Sequence, residues 1–145
     1  MKAKLVNDHA GQRIFVVVLD TGDEVMACLK EVAARERLTA AQISAIGALR
    51  GAVLGYFDWE TKSYERIPVQ EQVEVVAMLG DIGVDEKGEP ALHVHLVLGR
   101  RDGSAMGGHL LEGHVRPTLE VVITESPAHL RRRKDEATGL SLVRL

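Results

Sequence analysis

The chain has little cysteine, few aromatic residues and no excess of positive charge. Cys28 is the one cysteine among 145 residues, which excludes an internal disulfide and gives no sign of an oxidising compartment. One tryptophan, two tyrosines and two phenylalanines leave the core to be built from Val, Leu, Ile and Ala. Lys and Arg number 18 against 21 Asp and Glu, for a formal net charge of −3. A surface of that balance does not grip nucleic acid as a whole, so DNA binding needs a local basic patch or a partner. No apolar run reaches the length of a membrane span, and Met1 to His9 lack the apolar stretch of a secretion signal. These absences predict a cytoplasmic location and no membrane partner.

What is present suits an ordinary globular protein: 46% of residues are hydrophobic and 27% charged. The length predicts one domain over residues 1–145. Ala3 to Val6 reads as a short edge strand. Arg13 to Asp20 (RIFVVVLD), rich in β-branched residues and bounded by turn residues, reads as a buried strand. Val25, Cys28, Leu29, Val32 and Ala33 recur at helical spacing, which predicts a helix over Asp23–Arg37 with Thr21 or Asp23 as its N-cap. Cys28 lies on that apolar stripe and reads as a small buried hydrophobe.

Strands follow in quick succession. Ile43–Leu49 and Ala52–Asp58 are separated by a bulge or bend at Arg50-Gly51. After a turn at Asp58–Lys62, Ser63–Val69 returns, and Pro68 assigns it to an edge. Gln72–Asp81 and Ala91–Arg100 flank a polar loop at Asp85–Pro90. Ser104–Leu111 and Val115–Thr124 come next. A short basic segment at Leu130–Lys134 and a terminal strand at Ser141–Leu145 close the chain. One early helix and many hairpin-linked strands predict an α+β fold with a largely antiparallel, partly barrel-like sheet.

The stretch His93–His114 concentrates the chemistry. It holds four of the six histidines and five of the fourteen glycines. Strand alternation puts His93 and His95 on one face, and the Asp102-Gly103 turn brings His109 back alongside. Imidazole suits zinc and other divalent transition metals, and three protein ligands leave a position open. The alternative is that these histidines pack and hydrogen-bond within a subunit interface. Glu112, His114 and Glu120 are candidates for supporting or replacement ligands. Glu120 interrupts an apolar strand, so it faces an interface or pairs with a cation. A cupin centre wants a carboxylate shortly after His-x-His, but Gly99, Arg100 and Arg101 stand there.

Other chemistry has little support. Ser44, Ser63, Ser104 and Ser126 lack a nucleophile motif, and no catalytic residue or organic cofactor site is assigned. Gly107-Gly108 precedes a strand, not a helix N-terminus, so it reads as close strand packing, not a phosphate cradle. Arg131-Arg132-Arg133 and Arg100-Arg101 are the candidate polyanion contacts. Asp135-Glu136 follow the first run at once, which favours a solvated face.

Leu92–Leu98, Asp102-Gly103 and Gly107–Gly113 resemble the core motif of the PPC (plants and prokaryotes conserved) domain. Val115–Ile123, Val73–Gly80 and Ile46-Gly47-Ala48 extend the resemblance, which spans Ile14 to Thr124. The resemblance implies an α+β domain that assembles as a homotrimer. Plant members carry AT-hook segments, bind AT-rich DNA and act in transcriptional regulation, whereas prokaryotic members are usually the bare domain. The present sequence contains no Arg-Gly-Arg-Pro hook of the kind that enters a narrow minor groove, and Val73 stands where the plant pattern has Phe. Two readings follow. One is a trimeric regulatory module associated with DNA and without enzymatic activity. The other is a small-ligand or divalent-metal-binding protein, enzyme or not, with its site at His93, His95 and His109.

Overall fold

The computed structural model describes residues 1–144. Its elements are β1 (Lys2–His9), β2 (Gln12–Asp20), α1 (Val25–Arg35), β3 (Ala41–Asp58), β4 (Ser63–Val69), β5 (Val73–Val84), β6 (Pro90–Gly99), β7 (Ala105–Glu125), β8 (Arg131–Lys134) and β9 (Ser141–Arg144). All nine strands join one sheet. Every pairing is antiparallel except the short contact of β5 with β8. The fold is therefore α+β and mostly sheet, as expected.

Two long strands organise it. β7 pairs with β3 along most of its length, with β2 near its C-terminal end and with β6 near its N-terminal end. β3 pairs with β5, and β5 with β6. The circuit β3–β5–β6–β7 thus forms a partial ring, and β1 and β4 lie at its margins. β4 pairs only with β3 among the described residues, the edge that Pro68 requires. Phe15, Val17, Leu19, Ile43, Leu49, Leu54, Leu98, Leu110, Leu119, Val121 and Ile123 fill the interior. The helix covers it by burying Val25, Leu29, Val32 and Ala33. Cys28 is half-buried against this core, and burial pushes its thiol pKa up.

The structure corrects several expected boundaries. The two segments on either side of Arg50-Gly51 are one bent strand, β3. Its ladder with β7 shifts register between Leu49 and Gly51, so the bulge is absorbed and the strand continues. Likewise Ser104–Leu111 and Val115–Thr124 are one strand, β7. The helix is shorter than Asp23–Arg37, and its cap is Glu24, not Thr21 or Asp23. The Glu24 carboxylate accepts from Met26 N at 3.2 Å and Ala27 N at 2.7 Å, and from Gly113 N of β7 at 3.0 Å. Asp23 is engaged elsewhere, 2.8 Å from the N-terminal ammonium and accepting from Asp20 N at 2.9 Å. The basic segment at Leu130–Lys134 is the strand β8, paired with β9. Leu145, the last residue of the predicted terminal strand, lies outside the described residues.

Candidate metal centre

The alternation of β6 builds the site. Val94, Leu96 and Leu98 turn inward and are buried, which sends His93 and His95 to the opposite face. His95 pairs directly with His109 across the β6–β7 ladder. Gly107 and Gly108 allow this approach. A Cβ at Gly107 would stand 2.8 Å from Leu96 O, closer than side chains tolerate, and one at Gly108 would make a tight 3.0 Å contact with Gly55 O. The glycines therefore serve strand packing, as their sequence context indicates.

The three imidazoles converge. Their candidate ligand nitrogens all lie within 4.8 Å of one another. Nε2 of His93 and Nε2 of His95 are 3.0 Å apart. The ring centroids are separated by 4.8 Å for His93–His95, 5.3 Å for His93–His109 and 5.2 Å for His95–His109. Nδ1 of His109 is buried without a hydrogen-bond partner, a costly state for a ring nitrogen and one that a cation relieves. Burial, then the charges of His93, His95 and Arg132, pushes His109 down to about 4. Burial and His93 also lower His95. These rings favour the neutral form that donates to a metal. Three converging imidazole nitrogens fit a divalent transition metal.

Supporting groups surround the rings. Asp81 on β5 is the cross-strand partner of His93, and its Oδ2 lies 3.8 Å from His93 Nδ1. Arg132 donates to both Asp81 oxygens, from Nη2 at 2.7 Å to each and from Nε at 3.2 Å to Oδ1. Its Nη1 donates to Ser141 O at 2.8 Å. Burial works to raise the Asp81 carboxyl pKa, but the contacts with His93 and Arg132 outweigh it and hold the group below its usual range. Asp81 thus faces the Nδ1 side of His93, while Nε2 of the same ring faces His95. Tyr64 of β4 stacks on His109 at 4.7 Å between centroids.

Comparison with known proteins places this arrangement in a family. The family model described as the Plants and Prokaryotes Conserved (PCC) domain matches residues 7–127. The chain belongs to the PPC family. A metal-containing protein from Archaeoglobus fulgidus is similar over 99% of this chain and 97% of its own, at 32% identity and a TM-score of 0.84. A protein from Ralstonia eutropha JMP134 named a "putative DNA-binding protein" is similar over 90% of both chains, at 29% identity and a TM-score of 0.84. A curated relative, the bifunctional protein GlmU of Synechococcus sp. (strain JA-3-3Ab), is 30% identical over 130 residues, 88% of this chain. The chain spans only 20% of the length of that relative.

The other candidate residues of this PPC chain lie apart from the imidazoles. Glu112 is paired with Arg66. His114 pairs with Gly51 in the ladder and bridges to Glu24. Glu120 lies exposed on the sheet beside Ile46, Val76, Leu79 and Val122. Arg132 requires a correction. It is not a polyanion contact, because its side chain is 6% exposed and its guanidinium is committed to Asp81 and Ser141. Arg100 is paired with Glu71. Arg101, Arg131 and Arg133 are exposed.

Sequence reasoning missed Asp81, Tyr64 and the role of Arg132. A signal for Asp81 existed. The Asp85–Glu89 loop joins β5 to β6 with Val84 opposite Pro90, and counting outward from it pairs Asp81 with His93.

Proposed function

We propose that this chain binds one divalent transition metal ion, zinc first among them, through His93, His95 and His109, and uses it to hold a small ligand. The observation that carries the reading is the convergence of three imidazoles, one of which, His109, has a buried and unpartnered Nδ1. The metal-containing relative from Archaeoglobus fulgidus supports it. A metal held by three protein nitrogens keeps a coordination position free and supplies a Lewis acid. Asp81 and Arg132 serve as the groups that orient His93.

The working form we propose is a homotrimer. Ile46, Val76, Leu79 and Val122 are 62%, 58%, 58% and 40% exposed and line one shallow groove with Glu120. Contiguous exposed apolar patches of this kind mark association surfaces. Leu79 is the direct cross-strand partner of His95, so the patch borders the metal site.

The test is metal uptake. Protein prepared without chelator or an oligohistidine tag, then titrated with zinc, is expected to reach one zinc per chain. The variants His95→Ala and His109→Ala are expected to stay folded and to lose uptake. No zinc bound by the wild-type chain overturns the reading.

A second reading, association with DNA, is favoured by the name of the Ralstonia relative and by exposed Arg101, Arg131, Arg133 and Lys134. It predicts a retarded complex with duplex DNA at low salt that weakens steeply as salt rises. Absence of that complex at low salt overturns it.

A further inference from the structure

Two of the three imidazoles, His93 and His109, line a cleft of about 350 Å³. Two hairpins supply its walls, the β3–β4 turn on one side and the β8–β9 turn on the other. The hairpins meet: Lys62 Cβ lies 3.7 Å from the position a Cβ on Gly139 would take. The lining has a distinct chemistry. Phe57, Leu92, Leu140 and Leu142 are apolar, and Lys62 and Arg132 are cationic. Among the described residues no carboxylate lines it, although the chain carries a net negative charge. Arg132 is already neutralised by Asp81. Lys62 takes part in no ion pair among the described residues.

We propose that this cleft takes a small organic anion with an apolar body. The body fits between Phe57 and the leucines of the β8–β9 hairpin. The charged end goes toward Lys62 and the His93–His109 end, where a metal held by the imidazoles would meet it. A volume of this size suits a ligand at the small end of ordinary binding sites. The absence of lining carboxylates selects against cations, because no group there would compensate a buried positive charge. The proposal rests on the metal reading above and adds the class of the ligand.

The test uses the full-length, zinc-loaded chain, with zinc content measured in each sample. Three probes are titrated by calorimetry and amide chemical shifts: 4-methylpentanoate, its uncharged amide 4-methylpentanamide, and acetate, which keeps the charge without the body. The acid is expected to bind at least about tenfold tighter than acetate, since each buried methylene contributes severalfold, and about tenfold tighter than the amide. Its binding should shift the amides of residues 139–142. Lys62→Met is expected to weaken the acid about fivefold with unchanged zinc content, a loss in the range of one partly exposed charge contact. Equal affinity for acid and amide, or no binding of the acid to zinc-loaded protein, overturns the ligand class and leaves the metal reading standing. A chain that takes up no zinc overturns both.

Discussion

His109 is the most constrained residue of the site. Its ring is sandwiched between Tyr64 and the other imidazoles, and its Nδ1 has no partner within the chain. Zinc affinity is expected to fall in His109→Ala by more than about 100-fold, beyond the loss typical for a supporting group, and a competition titration against a chromophoric chelator measures it. The neighbouring glycines are a separate test of geometry. Gly107→Ala forces a methyl group against Leu96 O, and the expected cost is about 1–3 kcal/mol, the range for overpacking. Chemical denaturation measures that cost, and no loss of stability would mean that the β6–β7 approach is looser than described. At this scale much was legible. Strand alternation alone puts His93 and His95 on one face, and the Gly-Gly-His step brings the third ring close. Asp81 and Arg132 were not, because their importance depends on register and on a strand far along the chain.

The element that most changes the site is the β8–β9 hairpin. From sequence it is a charged run followed by a short terminal strand, and short charge runs are usually solvated. In the fold Val84 N donates to Leu130 O at 2.9 Å, which docks β8 against β5 and delivers Arg132 to Asp81. The hairpin lies beyond residues 7–127 matched by the family model. Arg132→Met is expected to weaken zinc binding by about 10- to 100-fold, the usual effect of removing a group that orients a ligand. The same titration with Arg132→Lys should recover part of the loss, because one bond to Asp81 is kept while the bidentate fork is gone. Zinc affinity unchanged in Arg132→Met would mean that Asp81 orients His93 unaided. The merging of predicted strands into β3 and β7 has a related cause. Local turn signals mark bends, but only pairing with distant strands decides whether a bent segment remains one strand.

At the scale of the whole molecule, an exposed apolar strip runs across β7, β3 and β5 to His95. Leu79→Glu is expected to convert the proposed trimer to monomers, since it would introduce three charges into the junction that assembly buries. Sedimentation equilibrium reads the change, and a wild-type chain that sediments as a monomer contradicts the proposed assembly. The α+β class, the single early helix and the edge position of β4 were readable from periodicity, composition and Pro68. The partial ring was less so, since its closure depends on β7 being long enough to pair with β2, β3 and β6. Arg100 and Arg132 are engaged by Glu71 and Asp81, which leaves Arg101, Arg131 and Arg133 as the exposed, unengaged members of the candidate polyanion contacts.

The most direct measurement of the central claim is a long-range proton–nitrogen correlation spectrum of the imidazoles, recorded before and after one equivalent of zinc. Six histidines give six ring systems. Zinc is expected to shift one nitrogen in each of His93, His95 and His109 and to leave His9, His114 and His129 unchanged. Rings that do not respond, or a response confined to other histidines, would contradict a metal centre at the meeting of β6 and β7.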